Sequence, residues 1–363
     1  MTRPTTSFAN DVVHHSSFVR LSMTSHMVNH EKCVKYGSTQ NCIFDCSIVF
    51  PYPFPMKKYD VLIIGLGCAG YTAAIYSARY MLSTFLVGAV EGGLGITAAE
   101  VGNWPGNIDI TGPDLMENFR KHATSFSEVT HKNAWVKKIE KTADGFQMLL
   151  DDGETVEGKT LIFAMGSNKR HLGIPGEERL SGKGVTYCAT CDAFFYKGKD
   201  VAVIGGGDSA VEGAAIAAQV AKKVYLIHRR KDFRAEPYWV EKVKAKENVV
   251  FVLENNITEV LGEQKVSGVK LAKPFEGSDT INVDGVFIEV GADPATALAE
   301  SLGCTVDTKG YLSVDAAMRT NVAGVFGAGD ITSGSNYFAQ FVTAAGEGAI
   351  ASNSAFNYVQ AGR

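Results

Sequence analysis

Val201-Ala202-Val203-Ile204-Gly205-Gly206-Gly207-Asp208-Ser209-Ala210 is the stretch that decides the fold. Its short apolar run, mostly β-branched, is the pattern of a parallel strand buried on both faces. The G-x-G-x-x-A turn that follows is a dinucleotide fingerprint: glycines allow a tight turn and close approach of a pyrophosphate to the next helix N-terminus. Gly205, Gly207, Asp208, Ser209 and Ala210 are therefore cofactor-binding candidates. Just upstream lies Tyr187-Cys188-Ala189-Thr190-Cys191-Asp192. A Cys-x-x-Cys pair can close a small disulfide ring, and its thiols often have a depressed pKa, so they exchange readily with other disulfides. An electron-carrier site next in sequence to an electron-accepting sulfur pair points to dithiol–disulfide redox chemistry at Cys188 and Cys191. A structural zinc site on the same pair would need two more ligands, and Cys68 and Cys304 belong to other elements.

The same plan occurs earlier in the chain. Asp60-Val61-Leu62-Ile63-Ile64 reads as a buried strand, Gly65-Leu66-Gly67-Cys68-Ala69-Gly70 as a second glycine turn, and Tyr71 to Tyr80 as a helix. In this strand–turn–helix context Gly65, Gly67, Ala69 and Gly70 are candidates for a second nucleotide. The next strand, Ser83 to Val87, ends in Gly88-Ala89 with no acid at the ribose position, Glu91 being the nearest carboxylate. Cys68 reads as a small packing residue. In the later unit, by contrast, the strand Lys223 to Ile227 ends in His228-Arg229-Arg230-Lys231, with Arg234 close behind. A carboxylate there would bond the ribose 2′-hydroxyl of NAD, whereas arginines accommodate a 2′-phosphate and so point to NADPH.

Between the two units, a helix is expected over 111–126. Three meander strands follow at 135–140, 145–150 and 154–157, then a separate buried strand from Thr160 to Gly166, with a crossover near Asn168. After the second fingerprint a helix runs to about Ala221, with Glu212 in its first turn. Further strands are expected at 249–253, 266–271, 280–283 and 284–291. Near the end, Val325-Phe326-Gly327-Ala328-Gly329 delivers Asp330 as a carboxylate for cofactor ribityl or ribose hydroxyls, before Gln340 and a helix over 341–355.

With 363 residues, 45% hydrophobic and 20% charged, the chain can bury two cores of ordinary size. A net charge of −4 offers nothing to nucleic acid or an anionic membrane. No apolar run reaches the length of a membrane span. Seven scattered cysteines argue for a reducing compartment, hence a cytoplasmic location. Residues 1–55 show no sustained periodicity and read as a disordered or non-native N-terminal extension. His26, His30, Cys33, Cys42 and Cys46 there could be metal ligands, or polar residues of a tail.

Five ordered motifs together resemble the low-molecular-weight thioredoxin reductases of the two-dinucleotide-binding flavoprotein family, over roughly residues 56–360. They are Gly65–Gly70, Ala164-Met165-Gly166, Cys188–Asp192, Gly205–Ala210 with its arginines, and Gly327–Asp330 with Gln340. The resemblance implies two Rossmann-like α/β domains of three-layer ββα type. An FAD domain at 56–168 and 295–363 would be interrupted by an NADPH domain at 169–294. It implies FAD contacts at Asn103, Gly166, Asp330 and Gln340. It implies that Cys191 meets the flavin, that Cys188 attacks thioredoxin, and that Asp192 is the acid. It also implies a homodimer whose NADPH domain rotates. The chain departs from the pattern at Leu94-Gly95, Gly102, Met165 and Ala339. Relatives that accept electrons from ferredoxin tend to lose the arginine cluster that this chain keeps.

Overall fold

The computed structural model describes residues 57–362. The extension at 1–55, with its histidines and cysteines, lies outside the described residues. The first sheet begins with β1 (Lys57–Ile64), α1 (Cys68–Arg79) and β2 (Thr84–Gly88). It continues through α2 (Gly112–Thr124), β3 (Val129–Asn133), β4 (Val136–Thr142), β5 (Gly145–Leu150) and β6 (Thr155–Phe163). Strands β3, β2, β1 and β6 run parallel in that order, while β4 and β5 form an antiparallel flap on β6. Alternation along β1 explains the layers: Val61 and Ile63 face the helices, Leu62 and Ile64 the opposite core. Val61, Leu62 and Ile63 are wholly buried, and each such side chain stabilises by roughly 1.5–3 kcal/mol.

The chain leaves this sheet through β7 (Ser167–Lys169) and builds the second from β8 (Val185–Thr186), α3 (Ala189–Asp192), β9 (Asp200–Ile204), α4 (Asp208–Ala217), β10 (Lys223–His228), α5 (Pro237–Lys244) and β11 (Val249–Leu253). An antiparallel flap of β12 (Ile257–Leu261), β13 (Gly268–Phe275) and β14 (Ser278–Ile281) precedes β15 (Gly285–Ile288). The strand order β11-β10-β9-β15-β8 is parallel throughout. The chain returns through β16 (Ala292–Pro294) and α6 (Ala297–Ser301). It then adds β17 (Val325–Gly327) to β6 and ends in α7 (Phe341–Ala361), packed along α1. The two Rossmann-like units thus have the second inserted into the first. β7 and β16 pair antiparallel where the chain crosses, so both crossings form one two-stranded link.

Several boundaries differ from the sequence reading. Residues 154–157 and 160–166 are not two strands but one, β6, whose first half pairs with β5 and whose second half pairs with β17. Gly158 falls mid-strand because Leu62 fills the space beside it, not because the chain turns. Helix α4 starts at Asp208, so Glu212 sits beyond its first turn, and α7 runs six residues past 355 to Ala361. Strand β12 and helix α5 were not read, since their apolar residues alternate too briefly to show a period.

Candidate functional site

The two fingerprints adopt one geometry. Gly65 has φ +124° and Gly205 φ +146°, where a Cβ would lie 2.1 Å from Ala164 O and 2.2 Å from Glu289 O respectively. Only glycine fits at either turn, because the end of the neighbouring parallel strand, β6 or β15, passes directly beside it. By contrast Gly67 and Gly207 face open space at the starts of α1 and α4, where a pyrophosphate can approach the backbone. Ala210 is buried against its turn, and the Asp208 carboxylate accepts the Glu236 N–H at 2.6 Å.

A cleft of about 810 Å³ runs along the first fingerprint. Gly67, Ala69, Asn103, Gly166, Asp330 and Gln340, read from widely separated segments, all line it. Asn103 Nδ2 donates to Gln340 Oε1 at 3.0 Å, closing one end. The Asp330 carboxylate has no hydrogen bond among the described residues. Burial, with the Glu347 charge adding, pushes its pKa up to about 6. An unpartnered carboxylate on such a wall fits a ligand with hydroxyl donors, and an open glycine turn fits a pyrophosphate. Together these residues fit a flavin dinucleotide. Cys68 is buried, its Sγ 3.2 Å from Phe341 O, and burial pushes its thiol pKa up to about 12, so it packs as an inert thiol.

Sequence reasoning missed Glu347. It lies in α7 and accepts hydrogen bonds from Gly329 N–H and Thr332 Oγ1, both at 2.8 Å, fixing the turn that carries Asp330. Glu347→Ala would leave both buried donors unpaired and is expected to cost about 2–4 kcal/mol of stability, measurable by urea unfolding. No motif marks a glutamate in an alanine-rich helix; only the packing of α7 brings it to that turn.

At the second fingerprint, Arg229, Arg230 and Arg234 are exposed and form no ion pair among the described residues. The Arg234 backbone N–H donates to Gly206 O at 2.8 Å, which ties the cluster to the glycine turn. His228 does not join them. Its ring is buried beneath Gly206, where a Cβ would sit 2.3 Å away, and stacks on Phe233 at 5.5 Å. Burial, then the neighbouring guanidiniums, lowers its pKa, so it supports the turn from beneath as a neutral ring.

Cys188 and Cys191 form a disulfide across the start of α3, with Cα atoms 5.4 Å apart. Cys191 is exposed and Cys188 half-buried, its Sγ accepting the Cys191 N–H at 3.2 Å. Asp192 accepts a hydrogen bond from Thr186 Oγ1. Buried Glu289, which sequence reading placed in a strand without a role, accepts from Ala189 N–H at 3.1 Å and pairs with Lys169 of the link at 3.0 Å. Burial raises its pKa against the pull of Lys169.

The disulfide does not line the cleft, but Asp208 and Ser209 of the second fingerprint do. Glu100, from the first unit, accepts from Tyr238 Oη at 2.7 Å and pairs with Lys242 at 3.0 Å on α5, holding the second fingerprint over the cleft. Glu212 lies in the same wall. Burial, then the Glu100 charge, raises its pKa to about 7, and its Oε1 has no partner. The arrangement brings the start of α4, at Asp208 and Ser209, into the wall of the cleft beside the first fingerprint and leaves the Cys188–Cys191 disulfide outside that lining.

Residues 59–348 match the family described as pyridine nucleotide-disulphide oxidoreductase, and the chain belongs to that family. It is 42% identical to a thioredoxin reductase of Listeria innocua, over 84% of this chain and 95% of that protein. It is 41% identical to a protein of Pseudomonas fluorescens named glucosaminate ammonia-lyase, over 82% and 94%. Among solved structures, Lactococcus lactis thioredoxin reductase in its FR conformation superposes with a TM-score of 0.79 at 36% identity, covering 84% and 99%.

Proposed function

We propose that this protein is an FAD-containing thioredoxin-disulfide reductase that takes electrons from NADPH and passes them through Cys188–Cys191 to thioredoxin or a thioredoxin-like protein. The observation that carries the reading is the Cys188–Cys191 disulfide beside a unit whose fingerprint opens onto the flavin-fitting cleft. It separates this reading from the lyase name, because a redox disulfide has no task in eliminating ammonia. When bound, FAD supplies a two-electron relay between nicotinamide and disulfide.

The chain's own residues do the rest. Asp330, Asn103, Gln340 and the Gly65–Gly70 turn hold FAD, while Arg229, Arg230, Arg234 and the Gly205–Ala210 turn hold NADPH. Two electrons and two protons open the disulfide to a dithiol. One thiolate attacks the partner's disulfide and releases one partner sulfur as a thiolate, with Asp192 supplying a proton. The second enzyme thiolate then attacks the mixed disulfide, closing Cys188–Cys191 and releasing the partner as a dithiol. Cys188 is assigned the attack because the Cys191 N–H stabilises its thiolate; Cys191 is assigned the electron-accepting side. Exposed Phe194 and Phe195 beside the pair offer an apolar contact for a protein partner.

Residues 56–168 with 295–363 are proposed as the FAD domain and 169–294 as the NADPH domain. The disulfide must reach the cleft by rotation about the β7–β16 link, with release of the Glu100–Lys242 contact. We propose a homodimer, with Tyr76 of α1 and Ile350 and Tyr358 of α7 exposed for a second copy. A cytoplasmic setting suits the free thiols Cys68 and Cys304, and no helix among the described residues is long and apolar enough to cross a membrane.

The test is spectroscopic: a flavin absorbance band that NADPH bleaches and oxidised thioredoxin restores. Failure of thioredoxin to restore it overturns the reading. Asp330→Asn is expected to weaken FAD binding by about tenfold or more, by loss of charge-assisted hydrogen bonds. The flavin-free protein should respond to pH as well. A carboxyl raised from 3.8 to about 6 contributes stability that is fully present below pH 3.8 and is lost as pH rises from there through about 6. Melting temperature of the flavin-free wild type should therefore fall over that window, and Asp330→Asn should flatten the fall.

A further inference from the structure

In a Rossmann-like unit the ribose and adenine of the dinucleotide lie beyond the C-terminal end of the second strand, where a carboxylate usually meets the ribose. This chain has none free there. β2 ends at Gly88, and Glu91 accepts from Asn133 Nδ2 at 3.2 Å and from the Tyr71 hydroxyl. Strand β3 ends alongside, Gly88 in register with Asn133, and Ala134 N–H donates to Gly88 O at 3.0 Å. The next residue is Trp135, which lines the same cleft as Gly67 and Gly88.

Trp135 is 64% exposed, and its indole makes no ring contact or hydrogen bond among the described residues. The other two tryptophans pack on neighbours, Trp104 against Phe119 and Trp239 against Tyr238. The Trp135 backbone is held at both ends by Asp151, which accepts its N–H at Oδ1 (3.2 Å) and donates to its carbonyl (2.9 Å). A large flat ring is thus fixed at its base and left uncovered where a purine is due. Covering it with another aromatic plane gains dispersion and removes apolar area from water.

We propose that Trp135 stacks on the adenine of FAD and is this chain's principal grip on the adenosine half, in place of a ribose-binding acid. The proposal rests on reading the cleft as the FAD site.

Full-length wild type, Trp135→Ala and Trp135→Phe are stripped of flavin and titrated with FAD and, separately, with FMN, which carries no adenosine. Stacking of a base on an aromatic ring contributes about 1–3 kcal/mol, so Trp135→Ala should raise the FAD dissociation constant roughly 5- to 150-fold. Its FMN affinity should stay at the wild-type value, and Trp135→Phe should recover most of the FAD affinity. Wild-type FAD affinity in Trp135→Ala overturns the proposal alone, as does an equal loss toward FAD and FMN. Wild-type protein that binds neither flavin overturns the flavin reading of the cleft and this proposal with it.

Discussion

Cys188→Ser and Cys191→Ser are each expected to lower thioredoxin turnover on the order of a thousandfold or more, the scale on which loss of an essential nucleophile acts. Disulfide exchange needs one sulfur to attack and another to resolve the mixed disulfide, so a single survivor stalls after one bond. FAD content should be unchanged, because neither cysteine lines the cleft that Asp330 and Gln340 line. NADPH should still bleach the flavin in both variants. The single variants also divide the roles, since the one that forms a lasting mixed disulfide with thioredoxin retains the attacking sulfur. If that is Cys188→Ser, the exposed Cys191 attacks, and the assignment drawn from the Cys191 N–H contact is reversed. Retention of turnover by either variant would remove Cys188–Cys191 from the electron path.

Arg229→Ala with Arg230→Ala should raise the Michaelis constant for NADPH strongly and leave that for NADH little changed. Three exposed guanidiniums beside the Gly206 turn have no anionic partner among the described residues, which leaves their charge for a 2′-phosphate. Hydrogen bonds between charged partners contribute about 1.5–3 kcal/mol each, so losing one or two weakens binding roughly tenfold to beyond a hundredfold. Raising salt should erode the wild-type preference, because the cluster is solvent-exposed. His228→Gln should act differently: the ring underlies the turn, so its loss should lower stability and weaken NADPH and NADH alike. Equal use of NADPH and NADH by the wild type would show that the arginines hold no phosphate.

How far the sequence reaches depends on the range of the forces involved. Both strand–turn–helix units, the redox pair and the arginine cluster were legible because each is set by neighbours in the chain. Strand alternation, a left-handed glycine and a two-residue cysteine spacing all act over a few positions. Even Asp330 could be singled out, since an apolar strand delivers it. What no local pattern encodes is which distant groups meet. The continuity of β6 across Gly158 depends on Leu62 filling the space beside that glycine. Glu347 and Glu289 became visible only when α7 and β15 brought their carboxylates to the backbone of Gly329 and Ala189. His228 sits in sequence with the arginines, yet the strand turns its ring inward beneath Gly206. Chain-local patterns specify the two nucleotide-binding units and the Cys188–Cys191 pair that lies between their fingerprints. Tertiary packing alone places Asp208 and Ser209 of the second fingerprint in the wall of the first cleft and leaves the disulfide outside that lining, because the placement rests on contacts such as Glu100 with Lys242, 142 residues apart in the chain.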